Sequence, residues 1–163
     1  MANKRMCPQS VMLKNYVGEV AGVATYATTY LHNVKFIIYR GVSTPVQGRG
    51  ESDTAKLYIF DDILFAADDS GTEVQYLPHE EWVQLEDKSG YWTLSLDGDD
   101  FIHEVFYDIK ETGSTIVGEA YPGVSFVGEG KAAPHYGTKF RIKGVKRLKQ
   151  GSRRLWHFEV DCG

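Results

Sequence analysis

The 163-residue chain contains only two cysteines, three methionines and five prolines, and it has no apolar run approaching the roughly 18 residues of a membrane span. Cys7 and Cys162 stand at opposite ends. Neither has a second cysteine at metal-ligand spacing, so the thiols give zinc no support. Chain termini often lie close together, which leaves a Cys7–Cys162 bridge open beside the expected state, two free thiols. Lys4 and Arg5 are not followed by the apolar stretch of a secretory signal. The expectation is a soluble protein without a membrane partner, made and used in cytoplasm.

Catalytic and metal signatures are also missing. There is no Gly-x-Ser-x-Gly elbow, and neither cysteine has a catalytic flank. The five histidines, His32, His79, His103, His135 and His157, include no helical metal pair, and each reads as a surface or hairpin residue. Asp97, Asp99 and Asp100 resemble the start of a calcium loop, but Ile102 stands where Gly is needed and Asp108 where the closing Glu belongs, so they read as a polar turn. Gly128-Glu129-Gly130-Lys131 lacks the first Gly and the magnesium-binding hydroxyl of a phosphate loop. No cofactor and no metal are expected. A carboxylate-pair hydrolase stays open only because acidic residues are numerous.

What is present fits a globular β protein. Hydrophobic residues make up 42% and charged residues 25%, which excludes general disorder and a fibrous class. Residues 1–163 are read as one domain, able to bury a core without disulfide or metal staples. Seventeen Gly and ten Tyr favour loops and strands.

Strand periodicity places Val34, Phe36 and Ile38 on one face of a run reaching Val42, and Phe140 and Ile142 opposite Lys139, Arg141 and Lys143. Val11–Val17, Ala55–Phe60, Tyr91–Leu96, Phe101–Tyr107, Thr115–Ala120 and Leu155–Val160 are further candidates. Asp97-Gly98 signals a hairpin turn. A short amphipathic helix is expected over Pro78–Asp87, with Pro78 in the first turn, Glu80 and Glu81 at the positive end of the dipole, and Trp82 and Leu85 facing a sheet. Trp82, Trp92 and Trp156 read as core anchors. Val42–Ser52 and Gly123–Gly137 read as long loops, with Gly48, Gly50, Gly123, Gly128 and Gly130 as candidate projections. The fold class is all-β: a small barrel or rolled sheet of about seven strands with one short helix.

Charge is sorted along the chain. The net charge of −4 conceals 18 acidic against 3 basic residues from Glu51 to Tyr121, and nine basic residues with no acidic one from Lys131 to Arg154. Two solvated faces would produce this pattern. So would self-complementation between copies, because an acidic and a basic side stack head to tail into rings. A DNA-facing patch is the third reading, weakened by a pI of about 5.7 and by the lack of aromatics, other than Phe140, from Lys139 to Arg154. Candidate contacts are Lys139, Arg141, Lys143, Lys146, Arg147, Lys149, Arg153 and Arg154.

Five segments are distinctive as a set: Ser10–Gly18, Tyr30–Val34, Tyr76–Trp82, Gly90–Leu94 followed by Asp97–Ile102, and Trp156–Val160. In this order they resemble a family of small tailed-phage proteins encoded in the late structural region, similar in size and gene position to head-closure (stopper) and head–tail joining proteins. The likeness is tightest over Tyr76–Ile102. It implies a virion protein with no turnover, assembled in the bacterial cytoplasm as a homo-oligomeric ring between portal or adaptor and tail, close to packaged DNA. A tail terminator or minor capsid protein is the near alternative. A soluble β-barrel binding a small ligand or glycan is the alternative from another class.

Overall fold

The computed structural model describes residues 6–39, 53–96, 99–107 and 134–163. Nine strands dominate: β1 (Gln9–Val20), β2 (Val23–Tyr39), β3 (Thr54–Phe60), β4 (Phe65–Ala67), β5 (Gln75–Tyr76), β6 (Tyr91–Trp92), β7 (Phe101–Tyr107), β8 (Pro134–Leu148) and β9 (His157–Cys162). Seven form one sheet in the order β1-β7-β8-β9-β3-β2-β4, and β1 also pairs with β2. The hydrogen bonds therefore run in a closed ring through six strands, with β4 added along β2. This is the all-β rolled sheet expected from the sequence.

Two long strands make the roll close by changing partners midway. β2 pairs with β1 and β4 through its first half and with β3 from Lys35 onward. At the change, Asn33 adopts a left-handed conformation (φ 61°) and is the extra residue between the pairs Ser10↔His32 and Gln9↔Val34. Such a bulge bends the strand, and the Asn33 amide fixes the bend by donating to the Ile63 carbonyl at 3.0 Å. β8 pairs with β7 up to Arg141 and with β9 from Ile142, with a register shift between Ile142 and Gly144. Gln9 closes part of β2 beyond the end of β1: its side-chain amide donates to Phe36 O and accepts from Phe36 N, both at 3.1 Å, as a neighbouring strand would.

The core fills the inside of the roll with alternate residues of each strand, among them Val11, Leu13, Leu31, Val34, Phe36, Leu57, Ile59, Ile102, Phe140, Ile142, Phe158 and Val160. Ile38 packs against the same cluster, so both sequence alternations hold. Met12, Tyr30 and Val105 form a second, smaller cluster. Both cysteines are buried and free. Burial holds the Cys7 thiol above its usual range and pushes Cys162 up to about 12, so neither is a nucleophile near neutral pH.

Several local expectations are corrected. The helix covers only His79–Trp82, with Pro78 at its N-cap. Beyond it Val83 and Gln84 are exposed, Asp87 Oδ1 accepts from Ser89 N at 2.9 Å, and Lys88 Nζ caps the Leu85 carbonyl. These local bonds replace further helical turns. Tyr91–Leu96 is a strand only at Tyr91–Trp92, paired in parallel with β5, because the Thr93 carbonyl is taken by the Asn15 side chain at 2.8 Å. The strands flanking Asp97-Gly98 do not pair with each other, and the two turn residues lie outside the described residues. Leu155 belongs to a 3-10 turn, Arg153–Leu155. Trp82 and Trp92 are core anchors, but Trp156 is only half-buried. Pro134–Gly137, read as the end of a loop, is strand. Thr115–Ala120, Val42–Ser52 and Gly48, Gly50, Gly123, Gly128 and Gly130 lie outside the described residues.

The β1–β2 hairpin has no Asn-Gly or Asp-Gly signal. Its two-residue turn is Ala21-Gly22, at φ 52° and 78°, between the paired Val20 and Val23. Both central residues of a type I′ turn need positive φ. Gly22 meets this without strain, and Ala21 meets it at the cost of Cβ crowding.

Candidate functional site

The strand register gathers a cationic and aromatic face on the outside of β1, β2, β7 and β8. Because Val11, Leu13 and Asn15 point inward, Met12, Lys14 and Tyr16 point outward. Lys14 lies opposite Thr28 of β2 and Phe101 of β7, and Phe101 lies opposite Arg141 of β8. The next row places Met12 opposite Tyr30 and His103, and His103 opposite Lys139. Tyr16 and Tyr26 close the end of the face as a pair.

The rings interlock edge to face. Tyr16 and Tyr26 have centroids 5.8 Å apart, Tyr26 and Phe101 5.0 Å, and Phe101 and His103 5.4 Å. Lys139 Nζ sits 4.0 Å from the Phe101 centroid, a cation–π contact that holds the ammonium at the surface. Lys14 donates to the Thr28 hydroxyl. The Tyr16 phenol is raised above its ordinary value by desolvation, then by the charges of Glu19 and Asp99 beyond the end of the face.

The expected basic residues separate into groups. Lys139, Arg141, Lys143 and Lys146 of β8 are exposed, and none has an ion-pair partner among the described residues. Lys143 lies over Gly163. Arg147 is committed within the chain: its guanidinium grips both oxygens of Asp61, one at 2.7 Å, and packs 4.0 Å from the Phe158 ring. Lys149 and Arg153 flank the Trp156 ring at 5.3 and 5.6 Å, and Arg154 is exposed beside them. On the acidic side Asp69, Glu73, Glu80, Glu81, Glu86 and Asp87 are exposed on the segments between β4 and β6, also without ion pairs among the described residues.

Beside the face, a buried polar junction ties β1 to the chain entering β7. Asp100, 4% exposed, accepts from Asn15 Nδ2 and from Tyr16 N, each at 2.8 Å, and from the Ser95 backbone. Burial is the larger influence on its carboxyl and raises the pKa; these hydrogen bonds work against it. Asp100 is therefore a structural anchor, not the member of a polar surface turn that the sequence suggested. It lines a cleft of about 220 Å³ with Tyr16, His79, Trp82, Lys88, Ser95 and Asp99, smaller than the roughly 300–1,000 Å³ of most small-molecule sites. His79 Nε2 and Ser95 Oγ are 3.5 Å apart. Among the described residues, no group of three His, Cys, Asp or Glu side chains is placed to hold a metal.

Sequence reasoning missed Lys14, Tyr16, Tyr26 and Phe101 as members of a common surface. The alternation of β1 signalled that Lys14 faces outward, but only the pairing register brings it beside Phe101 and Arg141. No curated protein and no solved structure matches the chain. A family model matches residues 9–163, the span from the start of β1 to the end of the chain. The chain thus belongs to DUF6751, a family of unknown function.

Proposed function

We propose that the chain is a structural subunit of a tailed-phage particle, a head-closure (stopper) protein that assembles as a ring between portal or adaptor and tail. One observation supports this beyond the motif order: exposed cations on β8 and exposed carboxylates between β4 and β6 have no ion-pair partners among the described residues. Charges unsatisfied within one copy are available to the next. Head-to-tail contacts of this kind close into rings, and complementary charge fixes their register. The work is done by contacts, with no turnover.

Charge reversal tests the electrostatic part. Lys143→Glu with Lys146→Glu breaks no ion pair among the described residues, and because position 146 lies opposite Glu159 across β8 and β9 a thermal melt identifies any loss of fold. The variant's incorporation into particles is expected to drop about tenfold, which corresponds to about 1.4 kcal/mol. Arg147 is left unchanged, since a glutamate there would face Asp61. Undiminished incorporation of the folded double variant would remove electrostatic docking from the mechanism.

A further inference from the structure

We infer that the outer face of β1, β2, β7 and β8 binds single-stranded nucleic acid, with phosphates on Lys14, Lys139 and Arg141 and bases or sugars against Tyr16, Tyr26 and Phe101. Ring assembly does not require this activity, and the inference does not depend on the phage reading.

Three features of the face converge on this ligand. The first is charge: Lys14 of β1 and Lys139 and Arg141 of β8 flank the intervening β7, no carboxylate stands among the register positions that join them, and none of the three has an ion-pair partner among the described residues. The second is interleaving. Phe101 lies between Lys14 and Arg141 in one cross-strand row, and Tyr16, Tyr26 and Phe101 are half-exposed rings braced against one another at 5.0–5.8 Å. Half-exposed aromatics alternating with cations form a platform on which bases stack while phosphates are neutralised. A patch serving only duplex backbone would have no use for the rings. The third is restraint: Lys139 is held over Phe101 and Lys14 is tied to Thr28, so less side-chain freedom is lost on binding.

The basic run of the sequence includes only part of this surface. It supplies Lys139 and Arg141, whereas the interleaved rings come from β1, β2 and β7. That is why an acidic chain with no aromatics in its basic segment, apart from Tyr136 and the buried Phe140, can still carry such a face.

The test is fluorescence-anisotropy titration of the full chain with oligodeoxythymidylate and with a duplex of equal length, across roughly 50 to 200 mM salt. Three phosphate contacts on a single strand give a slope of log K against log salt of about −2, an affinity loss of about 20-fold over that range. Lys139→Glu with Arg141→Glu is expected to weaken binding at least about tenfold. Tyr26→Ser is expected to weaken it about tenfold through lost stacking. Lys149→Glu with Arg154→Glu, equally exposed and cationic but outside the face, is expected to bind as the parent does. Thermal melts identify any variant that fails to fold, and the Lys149/Arg154 pair then still separates this face from general positive charge. The inference is overturned by any of four results: no binding at the lowest salt, duplex bound as tightly as single strand, a folded Lys139/Arg141 variant that binds unchanged, or equal loss in the Lys149/Arg154 variant. None of these results bears on whether the chain is present in particles.

Discussion

Asp100→Ala is expected to destabilise the fold by about 3–5 kcal/mol in chemical unfolding, while Asp99→Ala beside it changes stability by less than about 0.5 kcal/mol. The difference lies in what each carboxylate holds. Asp99 is exposed. Asp100 is 4% exposed and accepts from Asn15 Nδ2, Tyr16 N and the Ser95 backbone. Removing it leaves these donors without their acceptor in a place that water reaches poorly, and each orphaned donor costs about 1–3 kcal/mol, less when they relax together. Asn15 is fully buried and would keep only its contacts to Thr93. Asp100→Asn is expected to fall between the two, at about 2 kcal/mol, because an amide presents an N–H group where one of the donors needs a lone pair. A loss below about 1 kcal/mol for the alanine variant would mean that packing alone holds β1 to the chain entering β7.

His32 sets the second large effect, a fall in stability of about 3 kcal/mol as pH drops from about 6.5 to about 4. The ring is fully buried, stacked on Phe65 at 5.8 Å, with Nδ1 2.7 Å from Ser10 Oγ. Burial lowers its pKa from 6.5 to about 4. Above pH 6.5 the ring is neutral whether the chain is folded or not, and stability does not depend on it. Between 6.5 and 4 the unfolded chain takes up a proton that the folded chain refuses, so each pH unit costs about 1.4 kcal/mol. Below about 4 the folded ring protonates too and the slope ends. Asp100, whose carboxyl is raised, acts in the opposite sense: its contribution is present at low pH and is lost as pH rises from 3.8 through its folded value. The check is the pH dependence of unfolding free energy in the parent and in His32→Gln. The variant should lose most of the slope between pH 6.5 and 4, and an equal slope in both would assign acid sensitivity to the carboxylates.

How much of this was legible in the sequence depended on whether a feature was local. β7 occupies the expected Phe101–Tyr107, and β3 differs from expectation by one residue, because alternation and β-branched content are properties of the strand itself. The outward Lys139, Arg141 and Lys143 were visible for the same reason. The first half of β2 was not, because Val23 and Ala24 are exposed and Thr25–Thr28 half-exposed and the turn before it uses Ala21 at positive φ, which no turn-residue rule anticipates. The burial of His32 and Asp100 was hidden as well. Each is buried by partners far along the chain, His32 by Ser10 and Phe65 and Asp100 by Asn15 and Tyr16. The cationic–aromatic face is the clearest case: its residues come from four strands, and only their register makes them neighbours.

The proposed role is tested most directly by quantitative mass spectrometry of particles purified from the source of this chain, read as copies relative to the portal protein. A head-closure subunit is expected at a copy number equal to the portal's, or half of it. Absence of the chain from the particles would contradict the account.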